Sequence, residues 1–370
     1  MLAILFGGGL ALLVSLLGTR VAINLFTRLG YGQEIREDGP TTHHTKRGTP
    51  TMGGVVVIIA TLIGYLGAKV LDSIRLGDVA LPSASAWLLL LAFVGMGLVG
   101  FLDDFIKVFK QRNLGLRSKA KMIGQTVIAV TFGALALSPW LEDENGRRPA
   151  SEKVSFLREI DWLALPTVLA VVLVWFFLTG FSNAVNITDG LDGLAAGASV
   201  LVFGAYTLLN IFQNQNFCQS DPSPACYNVR DPLDLAIIAA AIGGALIGFL
   251  WWNASPAQIF MGDTGSLALG GALAALAVLT RTELLLVILG GLFVLVTMSV
   301  MVQVTCFKVT KRFTGVGRRV FRMTPIHHHF EMLGWEQVTI VIRFWIICGL
   351  FVAVGIGLFY ADWVALGGAG

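Results

Sequence analysis

Two adjacent carboxylates, Asp103 and Asp104, stand where an apolar run from Ala86 to Leu102 meets a basic loop. A charge at the centre of a membrane helix costs roughly 2.5–3.5 kcal/mol, so acids at such a helix end need a partner or a purpose. Neighbouring residues on a helix project about 100° apart, so both can line one side of a cavity; an acidic helix end paired with Lys107 is the plainer alternative. A third acid, Asp263, is the only ionisable residue between Asp234 and Arg281. It either caps the helix that follows or offers a hard oxygen ligand for Mg²⁺, a site that needs one or two carboxylates plus substrate phosphates.

Other polar groups recur near such helix ends. The stretch from Phe181 to Gly193 holds no cation but carries Asn183, Asn186, Asp189 and Asp192. Each pair is three residues apart, so a helical turn would align it, and Gly190 and Gly193 let backbone approach a ligand closely. Helix capping accounts for one or two of the four. All five histidines fall in two loops, as His43 and His44 and as His327, His328 and His329. The second run is internal, so it is no purification tag. Its imidazoles can neutralise phosphate, meet substrate hydroxyls or bind a transition metal, or simply line a polar interfacial loop. Lys46 precedes Gly48-Thr49-Pro50-Thr51-Met52-Gly53-Gly54, and Lys107, Lys119 and Lys121 bracket the acidic pair. Carboxylates for a divalent cation, lysines for phosphate and amides for a polar headgroup suit metal-assisted phosphoryl transfer, in which protein mainly positions and neutralises charge.

The elements that must hold these groups are membrane helices. The 370 residues are 55% hydrophobic and 13% charged, with a mean hydropathy of +0.77. That composition predicts an all-α, polytopic integral membrane protein; residues 1–370 read as a single membrane-embedded domain. The 43 glycines suit close helix packing in lipid. Apolar windows predict ten spans, at 1–26, 52–71, 86–102, 122–140, 162–180, 193–213, 233–251, 264–280, 284–307 and 338–360. The first has no basic residue before Arg20, so it reads as a true span rather than a secretory signal. Ten spans leave loops 27–51, 103–121, 181–192, 252–263 and 308–337 on one face. Sixteen of the 26 Lys and Arg lie in these loops, which makes that face cytoplasmic and puts both termini outside. Acidic residues lean the other way, so the cytoplasmic surface is net positive and suits anionic headgroups and a phosphorylated ligand. Loop 141–161 reads as a solvated outer connection. Cys218 and Cys226 share one hydrophilic loop and can pair if it faces an oxidising compartment.

Taken in order, Gly48 to Gly54, Asp103-Asp104-Phe105, Asn183 to Ala195, Asn253 with Met261-Gly262-Asp263, and Pro325 to Glu331 resemble the phospho-N-acetylmuramoyl-pentapeptide transferase (MraY) family. That family is a branch of the polyprenyl-phosphate N-acetylhexosamine 1-phosphate transferase superfamily. The matches cover nearly the whole chain, and the Thr-Pro-Thr-Met-Gly-Gly and His-His-His-Phe-Glu runs resemble this branch in particular. Phe105 departs from the family's common Tyr, which touches a hydroxyl contact and not the chemistry. The resemblance implies Mg²⁺-dependent transfer from UDP-MurNAc-pentapeptide to undecaprenyl phosphate, giving lipid I and UMP on the cytoplasmic face of the bacterial inner membrane. It implies Asp263 as principal Mg²⁺ ligand, with Asp103 and Asp104 binding or orienting metal and lipid phosphate; Asp103 is the choice for a base. Lys46, Lys107 and Lys121 would contact phosphate or nucleotide, and Asn183, Asn186 and Asp189 the diphosphate or metal region. Asp192, Asn253 and Phe260 would form the uridine pocket. His327, counted with the catalytic residues, and His328 would take the donor, while His329 is structural. A lipid bilayer is the implied partner, a homodimer is compatible and nucleic acid is not expected. A sister transferase using UDP-N-acetylglucosamine is the near rival. A transporter is the rival from another class, and it predicts ionisable groups near bilayer midplanes and often internal repeats.

Overall fold

Lipid offers the backbone no hydrogen-bond partner, so long apolar runs close their bonds internally as helices. The computed structural model describes residues 1–30, 32, 48–110, 115–220 and 222–368; Lys46, His43 and His44 lie outside them. The helices are α1 (Leu2–Arg28), α2 (Gly54–Leu76), α3 (Ala84–Phe109), α4 (Ser118–Ala136), α5 (Thr167–Thr188), α6 (Leu194–Gln215), α7 (Pro232–Asn253), α8 (Gly262–Leu279), α9 (Glu283–Leu289), α10 (Gly291–Thr314), α11 (Ile326–Glu331) and α12 (Gln337–Ala365). Among the described residues, nine of them are long and apolar enough to cross a membrane. The remaining long helix, α4, packs against α3 and α5 and carries Lys119 and Lys121 in its first turn.

Helix α8 is the middle of the bundle. Every residue from Thr264 to Leu279 is buried, and α2, α3, α5 and α6 surround it. This explains its Gly/Ala-rich, weakly hydropathic sequence: a helix enclosed by helices needs small side chains that let backbones meet. The approach is closest where α3 and α2 cross the start of α8. A Cβ on Gly100 would overlap the Asp263 carbonyl oxygen, and one on Gly54 would overlap the Gly265 backbone.

Several boundaries differ from the expected spans: α2 runs on to Leu76, α3 through the acidic pair to Phe109 and α10 to Thr314, so 103–109 and 308–314 are helical rather than loop, and three further differences have a specific cause. The span expected at 162–180 begins at Thr167, because Glu159–Ala164 instead forms a strand, β2, paired antiparallel with β1 (Lys153–Ser155). Trp162, Leu163 and Ala164 had lent this strand a membrane-like hydropathy. Helix α5 also runs on to Thr188, since its late polar residues face partners inside the bundle. Finally, the span expected at 284–307 is broken at Gly290, between α9 and α10.

At the end of α3 remote from Asp103, Ser83 caps the helix by accepting from the Ala86 N–H at 3.2 Å. Close by, buried Asp234 of α7 accepts from Lys69 at 3.0 Å, Tyr65 at 3.2 Å and the Ser83 N–H at 2.9 Å. The same end carries the β-hairpin and a Cys218–Cys226 disulfide. Arg158 fastens the two to the end of α12. Its guanidinium lies 4.1 Å over the Tyr227 ring, donates to the Ala225 carbonyl at 2.7 Å and pairs with Asp362 at 2.8 Å. Arg281, in the turn between α8 and α9, donates to the Pro149 and Arg148 carbonyls at 3.0 Å each.

Candidate active site

The acidic pair ends the apolar part of α3, and α8 starts against it. Asp104, only 2% exposed, works as a cap supplied by another helix. One of its oxygens accepts from the Thr264 N–H at 2.9 Å and the Thr264 hydroxyl at 2.7 Å, and the other from the Asp263 N–H at 3.2 Å. These are N–H groups that the first turn of a helix leaves without an internal partner. Capping therefore places Asp263 beside the pair. The carboxylates of Asp103, Asp104 and Asp263 each bring an oxygen within 4.8 Å of the others.

Three close acids in a buried setting require cations. The Lys107 ammonium lies 2.6 Å from Asp103, 3.0 Å from Asp263 and 3.7 Å from Asp104. Lys121, reaching in from α4, pairs with Asp263 at 2.8 Å. Asn186 on the penultimate stretch of α5 donates to the other Asp263 oxygen at 2.7 Å and to the Ser266 hydroxyl at 2.8 Å. Asp103 also accepts from the Leu116 N–H at 2.8 Å, which ties the basic loop to the cluster.

Asp189 follows the last residue of α5. Burial, then repulsion from Asp263, Asp104 and Asp192, pushes its carboxyl up to about 8. Its field thus couples it to the cluster, whose lysines pair with Asp103, Asp104 and Asp263. Asn183 is different: its amide donates to Gln125 of α4 at 3.0 Å and to the Thr179 carbonyl at 2.8 Å, so it fastens α5 to α4.

The remaining residues shape the surrounding loops. Asp192 accepts from the Ala257 N–H at 3.1 Å. Asn253 accepts from the Gly193 N–H at 3.2 Å and donates to the Ile259 carbonyl at 2.9 Å. Together they bracket the loop that presents Phe260, whose own N–H donates to the Pro50 carbonyl at 2.8 Å while its carbonyl accepts from Gly53 at 2.9 Å. The Thr-Pro-Thr-Met-Gly-Gly run is thereby stitched to the start of α8. Buried His327 packs against Gly190, where a Cβ would collide with its imidazole, and its ring centroid is 4.3 Å from that of His328. His328 bonds Glu331 at 2.6 Å. His329 accepts from the Arg322 N–H at 3.1 Å, a loop-organising contact.

Every predicted segment with described residues thus reaches the cluster or a loop bonded to it. Three contributors were not assigned from sequence. Thr264 and Ser266 looked like ordinary small polar residues of a helix start, and Gln125 was a lone amide in an apolar run; adjacency to Asp263 was the available signal for the first two.

A bundle of membrane-crossing helices around clustered acids and lysines defines a class, and residues 86–281 match the family model described as glycosyl transferase family 4. Residues 46–58 match phospho-N-acetylmuramoyl-pentapeptide-transferase signature 1. A curated phospho-N-acetylmuramoyl-pentapeptide-transferase of Nocardioides sp. is 70% identical over 368 residues, 99% of this chain and 100% of its own. The protein of that name in Pseudarthrobacter chlorophenolicus is 58% identical over 375 residues, 99% of this chain and 100% of its own. That of Streptomyces avermitilis is 55% identical over 366 residues, 98% of each. The chain belongs to the phospho-N-acetylmuramoyl-pentapeptide transferase family.

Proposed function

We propose that residues 1–370 act as one membrane-embedded enzyme that transfers phospho-MurNAc-pentapeptide from its UDP carrier to undecaprenyl phosphate, releasing UMP and forming lipid I. The observation that carries this reading is the meeting of Asp103, Asp104 and Asp263 within 4.8 Å, with Lys107 and Lys121 among them. The topology we favour has ten spans, with α4 as the fourth and α9 with α10 as the ninth. Both termini then lie outside and the aspartate face is cytoplasmic, in the inner membrane. The basic loops on that face support the orientation, as does the disulfide at the opposite end of the bundle.

The donor set fits Mg²⁺: hard carboxylate oxygens, too few to saturate an octahedral ion and so leaving positions for phosphate. Asp263 and Asp103 would hold it, while Asp104, committed to capping α8, keeps Asp263 in place. When bound, the ion supplies charge neutralisation to the donor's diphosphate oxygens. The protein's own part is to align and neutralise. Lys107 and Lys121 release carboxylate contacts to meet phosphate oxygens, a role the family resemblance also gives to Lys46, outside the described residues. Asn186 and Asp189 hold the diphosphate end, and Asn183 supports them by fixing α5. Asp192 and Asn253 set the loop on which Phe260 offers a face to uracil, and His327 with His328 closes over the donor. An oxygen of the lipid phosphate attacks the sugar-bearing phosphorus, a P–O bond forms, and the bridging P–O bond breaks to leave UMP. A phosphate monoester is largely ionised near neutral pH, so a base at Asp103 orients more than it deprotonates.

The near rival, a transferase for UDP-N-acetylglucosamine, is disfavoured by the signature at 46–58 and the names of the relatives. A transporter is disfavoured because the acidic cluster sits at helix ends. Purified protein given UDP-MurNAc-pentapeptide, undecaprenyl phosphate and Mg²⁺ should release UMP, lose this activity with chelator, and lose at least about 100-fold in Asp263→Asn. Turnover of UDP-N-acetylglucosamine instead, or full activity in chelator, would sink the proposal.

A further inference from the structure

After Ser299 no residue of α10 is buried, and the helix leaves the bundle as an arm. From Leu284 to Phe330 the chain has no acid, yet Lys308, Lys311, Arg312, Arg318, Arg319 and Arg322 fall within it. All six are exposed. On the helix, Lys308, Lys311 and Arg312 share one face, while Val309 and Phe313, four residues apart, share another, and Val316 follows just past the helix end. Phe313 is 81% exposed and Val316 68% exposed, an apolar surface that water would penalise.

The arm is also held in shape. Gly315 ends α10 in the left-handed region at φ 75°, and the chain turns back along the helix. The Arg318 N–H donates to the Thr310 hydroxyl at 2.8 Å. Gln303 accepts from the Val320 and Phe321 N–H groups at 2.8 and 3.0 Å and donates to the Phe321 carbonyl at 3.1 Å. The cations and the apolar residues are therefore fixed relative to each other. The turn ends in the Arg322 bond to His329 and the bond from Ile326 N–H to Ser299 at 3.0 Å, so the arm borders the aspartate face.

We propose that residues 308–322 dock on acidic phospholipids of the leaflet bordering the active site, with the cations on headgroup phosphates and Val309, Phe313 and Val316 in the acyl boundary. Charge complementarity selects this occupant: a helix with separate cationic and apolar faces and no compensating acid suits an anionic membrane surface. The inference goes beyond the transfer reaction and does not depend on it.

The test is hydrogen–deuterium exchange of the full chain in nanodiscs of phosphatidylcholine alone or with phosphatidylglycerol. Backbone amides of 308–322 should exchange about tenfold more slowly with phosphatidylglycerol. Salt near 1 M, where the Debye length is about 3 Å, should remove the difference. The variant Lys311→Gln/Arg312→Gln/Arg318→Gln/Arg319→Gln should exchange equally in both discs, with α3 and α8 peptides unchanged as the control for folding. Equal exchange of the wild-type arm in both lipids would overturn the proposal. So would full protection retained in the variant, or protection given by undecaprenyl phosphate but not by phosphatidylglycerol, which would assign the arm to the lipid substrate.

Discussion

Asp189 is the acid whose charge the cluster tolerates least, and this gives the site a pH signature. Its carboxyl is pushed up to about 8 by burial and by Asp263, Asp104 and Asp192, against about 3.9 in an unfolded chain. Between those values the unfolded chain releases the proton and the folded chain keeps it. Stability therefore falls as pH rises through that window and levels off above about 8. Melting of chelator-treated protein from about pH 4.5 to 8.5 should show this decline, and Asp189→Asn should flatten it. A decline of the same size in Asp189→Asn would place its origin elsewhere. At this scale the sequence was informative: Asp103, Asp104 and Asp263 stood out because acids next to apolar runs are costly. Asn183 and Asn186 could not be separated by sequence. Three residues apart, they align on one helical stretch, yet one bonds Gln125 and the other Asp263.

The element that the chemistry depends on is the junction of α3 with α8. Asp104 caps α8 from outside, and Gly100 lets the two backbones touch where Asp263 begins. Gly100→Ala should force the helices apart, costing about 1–3 kcal/mol as overpacking does, and should lower UMP release more than its change in melting temperature suggests. Asp104→Ala should destabilise by about 2–4 kcal/mol, because buried donors at the start of α8 lose their acceptor. Asp104→Asn, which keeps one acceptor oxygen, should recover part of that stability. Normal melting of Asp104→Ala would show that the cap is dispensable. Sequence reading placed α8 within two residues but understated it, since hydropathy measures affinity for lipid and α8 is surrounded by protein. The same measure extended the fifth span over Trp162 to Ala164, which are strand residues. It also ended that span early, because the polar residues of α5 are satisfied inside the bundle.

Across the whole molecule the two ends of the bundle are chemically distinct. One end gathers acids, amides, lysines and histidines around α8; the other is closed by ion pairs, a β-hairpin and the Cys218–Cys226 bridge. Composition showed that the chain spans a membrane, and alternation of basic loops suggested which loops share a face. Sequence alone leaves the pairing of the cysteines open, since proximity permits a bond without requiring one. Closing a loop this short restricts the unfolded chain by about 2–3 kcal/mol. Cys218→Ser/Cys226→Ser should therefore melt earlier in detergent while retaining UMP release, and reducing agent should reproduce the shift in wild type only. A loss of activity exceeding the loss of stability would show that the disulfide clamp reaches the aspartate end.

The proposed transfer chemistry requires carboxylates from α3 and α8 to share one divalent ion with the donor's phosphates. Electron paramagnetic resonance of Mn²⁺, a spectroscopic substitute for Mg²⁺, measures that directly in the presence of UDP-MurNAc-pentapeptide. One bound ion per chain with ³¹P coupling is expected, with both signals lost in Asp263→Asn and weakened in Asp103→Asn. An ion bound with undiminished affinity and coupling in both variants would contradict the assignment.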